Sequence, residues 1–158
     1  MRYLILTLLL LQSMITLAQE AAVTAAGSPI VIYRAEADFD DIKSNLEMAI
    51  TGRGMLISNT LHISDMLNRT SADTGLSKKI YEKAESLEFC SILMSYRMST
   101  AHPANMAICP LTIGIYVKVG ESGHVYLTYR RPVMLGDADE VEQALTELFE
   151  GLIQESLE

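Results

Sequence analysis

The sequence of 158 residues has few of the features that usually reveal an activity. It contains no tryptophan, three histidines and only two cysteines, Cys90 and Cys109. The spacing of the cysteines fits neither a CxxC redox motif nor a CxxCH haem-attachment motif. P-loop, GxSxG and HExxH patterns are also absent, and we predict no catalytic residues. The missing catalytic signature favours a binding or accessory role over an enzyme.

Basic side chains are scarce relative to acidic ones. The sequence has 12 Lys and Arg against 20 Asp and Glu, which gives a formal net charge of −8. An acidic surface repels phosphate groups, so nucleic acids and anionic membranes are disfavoured as partners. It remains compatible with a metal ion or a basic protein.

The N-terminal segment has the pattern of a secretory signal. Arg2 precedes an apolar run from Tyr3 to Leu11, and the small residues Thr16 and Ala18 precede a predicted cleavage site. The run is shorter than the roughly 20 residues of a membrane helix, so we expect no membrane span after cleavage, although an uncleaved anchor is the alternative. Cleavage would place the protein in the periplasm or outside the cell. The predicted organisation is a signal peptide (1–18), a flexible linker (19–28) and a single domain (29–158).

The spacing of apolar residues predicts an α+β domain. We expect an antiparallel sheet of about five strands covered by two main helices. The first helix should be capped by Asp38 and end near Gly52, and the last should begin with a capping box of Asp137 and Glu140. The strands are predicted at 30–34, 55–61, 87–96, 111–119 and 124–130, with a helical turn at 64–68, a loop at 70–79 and a short helix after Pro103.

The segment between the two cysteines is rich in soft-ligand side chains. Thiolate, thioether and imidazole groups select Cu(I) and related ions. A short helix starting near His102 would place His102 and Met106 one turn apart on one face. We therefore predict either a disulfide between the cysteines, which is favoured in an oxidising compartment, or a soft-metal site such as one for copper. The side chains of the metal hypothesis are Cys90, His102, Met106 and Cys109, with Met94 and Met98 nearby in sequence.

Two further positions could bind a ligand. His62 could act as an acid, a base or a ligand with its ring oriented by Asp65, and the alternative is a structural histidine. Arg130 and Arg131 form a paired basic site that could hold a carboxylate or another anion, and the alternative is an exposed surface pair. The predicted ligand-binding residues are thus His62, Met98, His102, Met106 and Arg130.

Several short motifs in order resemble the DUF302 family, a domain of unknown function. They are Leu61-His62, then Met98 with Pro103 and Pro110, then Tyr129 with Pro132. The resemblance implies a β-α-β(4)-α fold like that of the TATA-binding-protein repeat, often as a homodimer, and it supplies no function. The sequence departs from the family pattern at Leu93–Tyr96, where a Gly-Asn-Pro is usual, and at Cys109, where a leucine is usual.

These observations lead to one principal hypothesis and two alternatives. The principal hypothesis is an exported, non-enzymatic binding or accessory protein that holds a small ligand, a soft metal ion or a protein partner. The first alternative is a thiol-redox protein that uses Cys90 and Cys109. The second is a structural subunit of an envelope complex.

Overall fold

The computed structural model describes residues 21–76 and 78–158, so the predicted signal peptide lies outside the described residues. The strands are β1 (Ile30–Glu36), β2 (Leu56–His62), β3 (Tyr81–Cys90), β4 (Leu111–Lys118) and β5 (His124–Arg130). The helices are α1 (Phe39–Gly52), α2 (Ile63–Thr74), α3 (Ile92–Ala101) and α4 (Asp139–Leu157), and a 3-10 helix spans Pro103–Ile108. Within the described part of the chain, none of these helices has the length and apolar content needed to cross a membrane.

The five strands form one sheet in the order β1-β5-β4-β3-β2, and all neighbours are antiparallel. The predicted α+β class and the five-stranded antiparallel sheet are therefore confirmed. Side chains alternate along β4, where Leu111, Ile113, Ile115 and Val117 are buried in the core. Helices α1 and α4 pack against each other and contribute to the same core.

Helix α1 forms as its sequence pattern predicts. Oδ1 of Asp38 accepts hydrogen bonds from the backbone N–H of Asp40 at 2.8 Å and of Asp41 at 3.3 Å. This cap satisfies donors that have no partner inside the helix. Of the apolar side chains at helical spacing, Phe39, Ile42, Leu46 and Ile50 are buried, and Ala49 is half-buried.

The start of α4 differs from the predicted capping box. The N-cap position is Ala138, with no side-chain cap, and Asp137 precedes the helix. Instead, Oε1 of Glu142 accepts a hydrogen bond from the backbone N–H of Met134 at 2.5 Å. A carboxylate in the first turn is favourable because it lies near the positive end of the helix dipole.

The strand predicted at 87–96 is wrong beyond Cys90. Ser91 caps α3 by accepting a hydrogen bond from the backbone N–H of Met94 at 3.4 Å, and the chain becomes helical. Ile92 is 89% exposed, so the apolar run does not continue into the core. Helix α2 is also longer than the predicted turn, and it takes up part of the predicted loop.

The predicted flexible linker is partly ordered. The backbone N–H of Val23 donates to the carbonyl oxygen of Ile32 at 2.7 Å, and Oγ1 of Thr24 accepts from the N–H of Ile32 at 2.7 Å. Residues 23–24 therefore cover the outer edge of β1, which protects backbone groups that an edge strand would otherwise leave exposed.

Candidate functional site

The sheet opens at one end between two neighbouring strands. The register between β4 and β5 covers only three residue pairs, from Gly114 with Thr128 to Tyr116 with Tyr126. Beyond Gly114, β4 remains paired with β3, and beyond Thr128, β5 remains paired with β1. At this end β4 stays hydrogen-bonded to β3 and β5 to β1, but β4 and β5 are not bonded to each other. The gap between them is a cleft.

The cleft has a volume of about 580 Å³ and a mixed lining. Its sides come from the unpaired ends of β4 and β5 and from the segments that flank them. Apolar side chains dominate, and they include Phe149, which reaches the cleft from α4. The remaining polar side chains are small hydroxyls, the Tyr129 phenol and two arginines. The lining apolar and proline residues are Pro29, Ile30, Ile108, Pro110, Leu111, Pro132, Val133 and Phe149.

Two guanidinium groups lie at this cleft. Arg130 is exposed at the end of β5, and Arg131 is half-buried. Nε of Arg131 donates to the carbonyl oxygen of Ser28 at 3.2 Å, and its backbone N–H donates to the carbonyl oxygen of Pro29 at 2.9 Å. These bonds fix the direction of Arg131 and leave Arg130 as the cation available for a ligand. The structure therefore brings the predicted anion-binding residue into a cleft.

Tyr129 contributes a buried hydroxyl behind the cleft. Its ring stacks on Phe149 with the centroids 4.7 Å apart, and its hydroxyl donates to Oε1 of Glu150 at 3.4 Å. Burial raises the pKa of Tyr129 above the ordinary range, and the charge of Glu150 raises it further. The pKa of Tyr33 is raised for the same two reasons. Both phenols are protonated at neutral pH, and that of Tyr129 donates to Glu150.

Asn105 is a site-positioning residue that the sequence did not reveal. It is 3% exposed, and its Nδ2 donates to the carbonyl oxygens of Met98 at 3.1 Å and Leu135 at 3.0 Å. Its Oδ1 accepts from the backbone N–H of Leu135 at 2.9 Å. Asn105 thus joins the end of α3 and the 3-10 helix to the loop before α4. A polar residue within the apolar stretch Ala-Asn-Met-Ala-Ile was the one available indication of this role.

The two cysteines are neighbours, but they are free thiols and not the predicted disulfide. The last β3–β4 pair is Phe89 with Leu111, so Cys90 and Cys109 lie together just beyond it. Sγ of Cys109 lies 3.2 Å from Oγ of Ser95. The half-buried thiol therefore has a hydroxyl group as its hydrogen-bond partner. Burial raises the pKa of the Cys90 thiol, and the neighbouring Cys109 raises it further. A raised pKa disfavours a thiolate nucleophile, which weakens the thiol-redox alternative.

The other members of the predicted soft-metal set are not brought together as expected. His102 is the N-cap of the 3-10 helix, and its Nδ1 accepts from the backbone N–H of Ala104 at 3.1 Å. A 3-10 helix has about three residues per turn, so His102 and Met106 do not share a face as they would in an α-helix. Met106 is 70% exposed, whereas Met98 is fully buried in the core. Of the predicted metal ligands, Cys90 and Cys109 lie near each other, beside the adjoining ends of β3 and β4.

His62 is oriented by a residue other than the predicted Asp65. Its Nδ1 lies 3.1 Å from Oε1 of Glu85, which is the residue opposite it on β3. Nζ of Lys43 on α1 lies 2.6 Å from the other oxygen of the same carboxylate. The histidine is therefore part of a polar cluster around Glu85 that joins α1, β2 and β3. His62 does not line the cleft.

Comparisons with known proteins agree with this architecture. Residues 31–155 match the family described as domain of unknown function DUF302. The chain belongs to the DUF302 family. The crystal structure of the uncharacterized conserved protein DUF302 from Bacillus stearothermophilus is similar, with a TM-score of 0.62 and 13% sequence identity. The similarity covers 82% of this chain and 98% of that chain, and at this identity it shows the fold alone. No curated protein matches the chain by sequence.

The motif residues of this DUF302 domain are distributed unevenly over the fold. Pro110, Tyr129 and Pro132 all line the cleft, although they are up to 22 positions apart in sequence. Arg130 lies between two of them. Three motif residues and the predicted ligand-binding residue Arg130 therefore meet at the cleft.

Proposed function

We propose that this DUF302 protein is an exported, non-enzymatic binding protein whose cleft between β4 and β5 holds a small, partly apolar carboxylate or similar anion. The observation that carries the proposal is the position of Arg130 at the mouth of an apolar-lined cleft. Small-molecule sites typically combine an apolar lining with a few polar groups that orient the ligand. A volume of about 580 Å³ falls within their usual range.

Charge and side-chain chemistry support an anionic ligand. The chain carries a net charge of −8, and the cleft is lined by two arginines and no carboxylate. A guanidinium can donate two parallel hydrogen bonds to a carboxylate, which gives both affinity and orientation. The apolar residues beside it, such as Ile108 and Val133, suit a hydrocarbon portion of the same ligand.

The lining also supports binding without chemistry. Its hydroxyl side chains are Ser86, Thr112 and Thr128, together with the Tyr129 phenol, and it contains no histidine, cysteine or carboxylate. Oγ1 of Thr128 donates to the carbonyl oxygen of Val31 at 2.9 Å, so its proton is already engaged. A hydroxyl nucleophile needs a neighbouring base, and none lines the cleft.

A titration with defined anions tests the proposal. Acetate, benzoate, octanoate and inorganic phosphate would be added to the purified protein while backbone amide resonances are recorded. We expect benzoate or octanoate to shift resonances at the cleft in a saturable manner, and phosphate to bind more weakly. The proposal fails if none of the four probes shifts the cleft resonances.

Two variants show whether the effect depends on the cleft. Replacing Arg130 by glutamine (Arg130→Gln) removes the cation while keeping a polar side chain of similar length. We expect the Kd of the bound carboxylate to rise about tenfold, which corresponds to roughly 1.4 kcal/mol. Arg69→Gln is the matched control, because Arg69 is exposed on α2 and does not line the cleft. Equal affinity of the two variants would contradict the role of Arg130.

Export, assembly and partners stay predictions. Recovery of protein from the periplasm with a new N-terminus after Ala18 would support the signal peptide, and retention in the membrane fraction would favour the uncleaved anchor. The homodimer implied by the family resemblance can be tested by light scattering of the purified protein. Stable co-purification with an envelope protein would favour the structural-subunit alternative.

A further inference from the structure

The cleft between β4 and β5 is open through the thickness of the sheet. Along β4, alternate side chains are buried in the core, and those between them face the opposite side. The cleft is lined by Thr112 and Gly114 on that opposite side and by Phe149 of α4 on the core side. The gap between residues 111–113 of β4 and residues 129–130 of β5 is therefore a slot in the sheet rather than a surface depression.

Backbone groups of both strands face this slot. Successive residues of a strand direct their N–H and C=O groups to alternate sides, and at this end β3 and β1 pair only with the outer sides of β4 and β5. In the described part of the chain, no backbone hydrogen bond joins residues 111–113 to residues 129–130. Unpaired strand groups of this kind are a template for another extended chain.

The slot is short and closed at one end. It ends where Gly114 pairs with Thr128. Its β4 side, residues 111–113, is about 10 Å long at roughly 3.4 Å per residue, which gives room for about three residues of an extended chain. A chain that enters from the open end of the sheet meets the paired strands at Gly114, so a chain terminus fits the slot better than a chain that continues.

The charge of the lining selects the carboxyl terminus. Arg130 and Arg131 line the cleft together with no carboxylate, so an α-amino group would be repelled. Arg130 is two residues from the closed end, about 7 Å along the strand, a distance that its long side chain can cover. Ser86, the residue opposite Gly114 on β3, adds a hydroxyl at the closed end.

We infer that the cleft binds the carboxyl-terminal residues of an extended apolar peptide, with its backbone paired to β4 and β5 and its terminal carboxylate held by Arg130. The inference rests on the proposed function, because it names the class of carboxylate that the cleft holds. Successive side chains of the bound peptide would point alternately towards Phe149 on the core side and towards Thr112 on the other.

Calorimetric titration of the purified protein with three peptides tests this inference. The first probe is acetylated alanyl-valyl-leucine with a free carboxylate, and we expect its Kd to be about tenfold lower than that of octanoate. Amidation of its carboxyl terminus should weaken binding about tenfold, because the charge is removed. Methylation of its central amide nitrogen should weaken binding about fivefold, since a strand between two neighbours has hydrogen bonds on both sides.

Two variants connect the affinity to the slot. Arg130→Gln should weaken binding of the free-acid peptide about tenfold and leave that of the amidated peptide unchanged. Arg69→Gln is the matched control and should change neither, because Arg69 is exposed on α2 and does not line the cleft. Backbone amides within 111–113 and 129–130 should exchange their hydrogens more slowly with the free-acid peptide than with octanoate.

The outcomes separate this inference from the function on which it rests. Binding of octanoate with a peptide that binds no more tightly would overturn the inference and leave the proposed function standing, whereas binding of neither would overturn both. Equal affinity of the amidated peptide would exclude recognition of a carboxyl terminus. Equal affinity of the N-methylated peptide, with unchanged amide exchange in residues 111–113, would exclude pairing with the strands.

Discussion

Replacing Asn105 by alanine removes three hydrogen bonds at once, and their geometry sets the expected cost. The carbonyl oxygen of Met98 keeps a partner after the change, because the backbone N–H of His102 also donates to it at 3.1 Å. The N–H and C=O of Leu135 both lose their bonds to the Asn105 amide. The substitution therefore leaves two half-buried backbone groups of Leu135 without a protein partner, beside an Asn105 side chain that was 3% exposed.

The bonds to Leu135 are partly accessible to water, so each group left without a partner costs about 1 kcal/mol, the low end of the usual range of about 1–3 kcal/mol. We therefore expect Asn105→Ala to lower the free energy of unfolding by about 2 kcal/mol, which corresponds to a decrease in Tm of roughly 6 °C for a domain of this size. Urea unfolding followed by circular dichroism measures the free energy, and calorimetry measures the Tm. The amide of Leu135 should also exchange its hydrogen faster.

Asn59→Ala is the matched control for this prediction. Nδ2 of Asn59 donates to Oε2 of Glu88 at 3.2 Å, but the pair is exposed on the edge of the sheet. Its loss should cost about 0.5 kcal/mol or less, because water replaces the lost partner. A cost below about 1 kcal/mol for Asn105→Ala, with an unchanged slope on urea concentration, would refute the argument that the Asn105 amide holds the loop before α4.

Two further substitutions test other details of the packing. Gly136 has a φ of 81°, and a Cβ at this position would collide with the carbonyl oxygen of Ala101. Gly136→Ala should therefore be more destabilising than Gly54→Ala, where φ is 74° and the space is open. Gly54→Ala should cost about 1–2 kcal/mol for the left-handed backbone alone, and equal costs in urea unfolding would show that the contact with Ala101 relaxes freely. Because the pKa of Tyr129 is raised in the folded protein, its contribution to stability is complete below the unfolded pKa of about 10 and decreases as the pH rises above it. The free energy of unfolding should therefore fall by up to about 1.4 kcal/mol per pH unit as this group titrates, and the Tm should fall with it between about pH 9 and 11. Tyr129→Phe should make this decrease smaller, whereas Tyr96→Phe, at an exposed position, should not.

The sheet and its main helices could be predicted because their apolar residues recur with a regular period. The hairpin at 111–130 and the buried stripe of α4 follow directly from this pattern. Local periodicity failed at Ile92, where an apolar run of three residues suits either a strand or a helix. The N-cap Ser91 decided in favour of the helix, since its side chain satisfies a free donor of the first turn.

The candidate site was harder to predict because its parts depend on register. Arg130 and the motif residues Tyr129 and Pro132 were recognised individually, but the cleft exists only where β4 and β5 stop pairing. No local pattern reports where two strands separate. The same limit applies to His62, whose partner Glu85 lies opposite it on the neighbouring strand rather than close to it in sequence.

The segment from His102 to Pro110 connects the three features that the structure singles out. Asn105 fixes the 3-10 helix to α3 and to the loop before α4, Ile108 and Pro110 line the cleft, and the thiol of Cys109 contacts Oγ of Ser95 on α3. The sequence directed attention to this segment because of its sulfur and imidazole groups. The structure replaces that reason by another, since His102 caps the 3-10 helix and Met106 is exposed. The importance of the segment follows from its position between α3 and the open end of the sheet, where it supplies one wall of the cleft and holds the loop before α4.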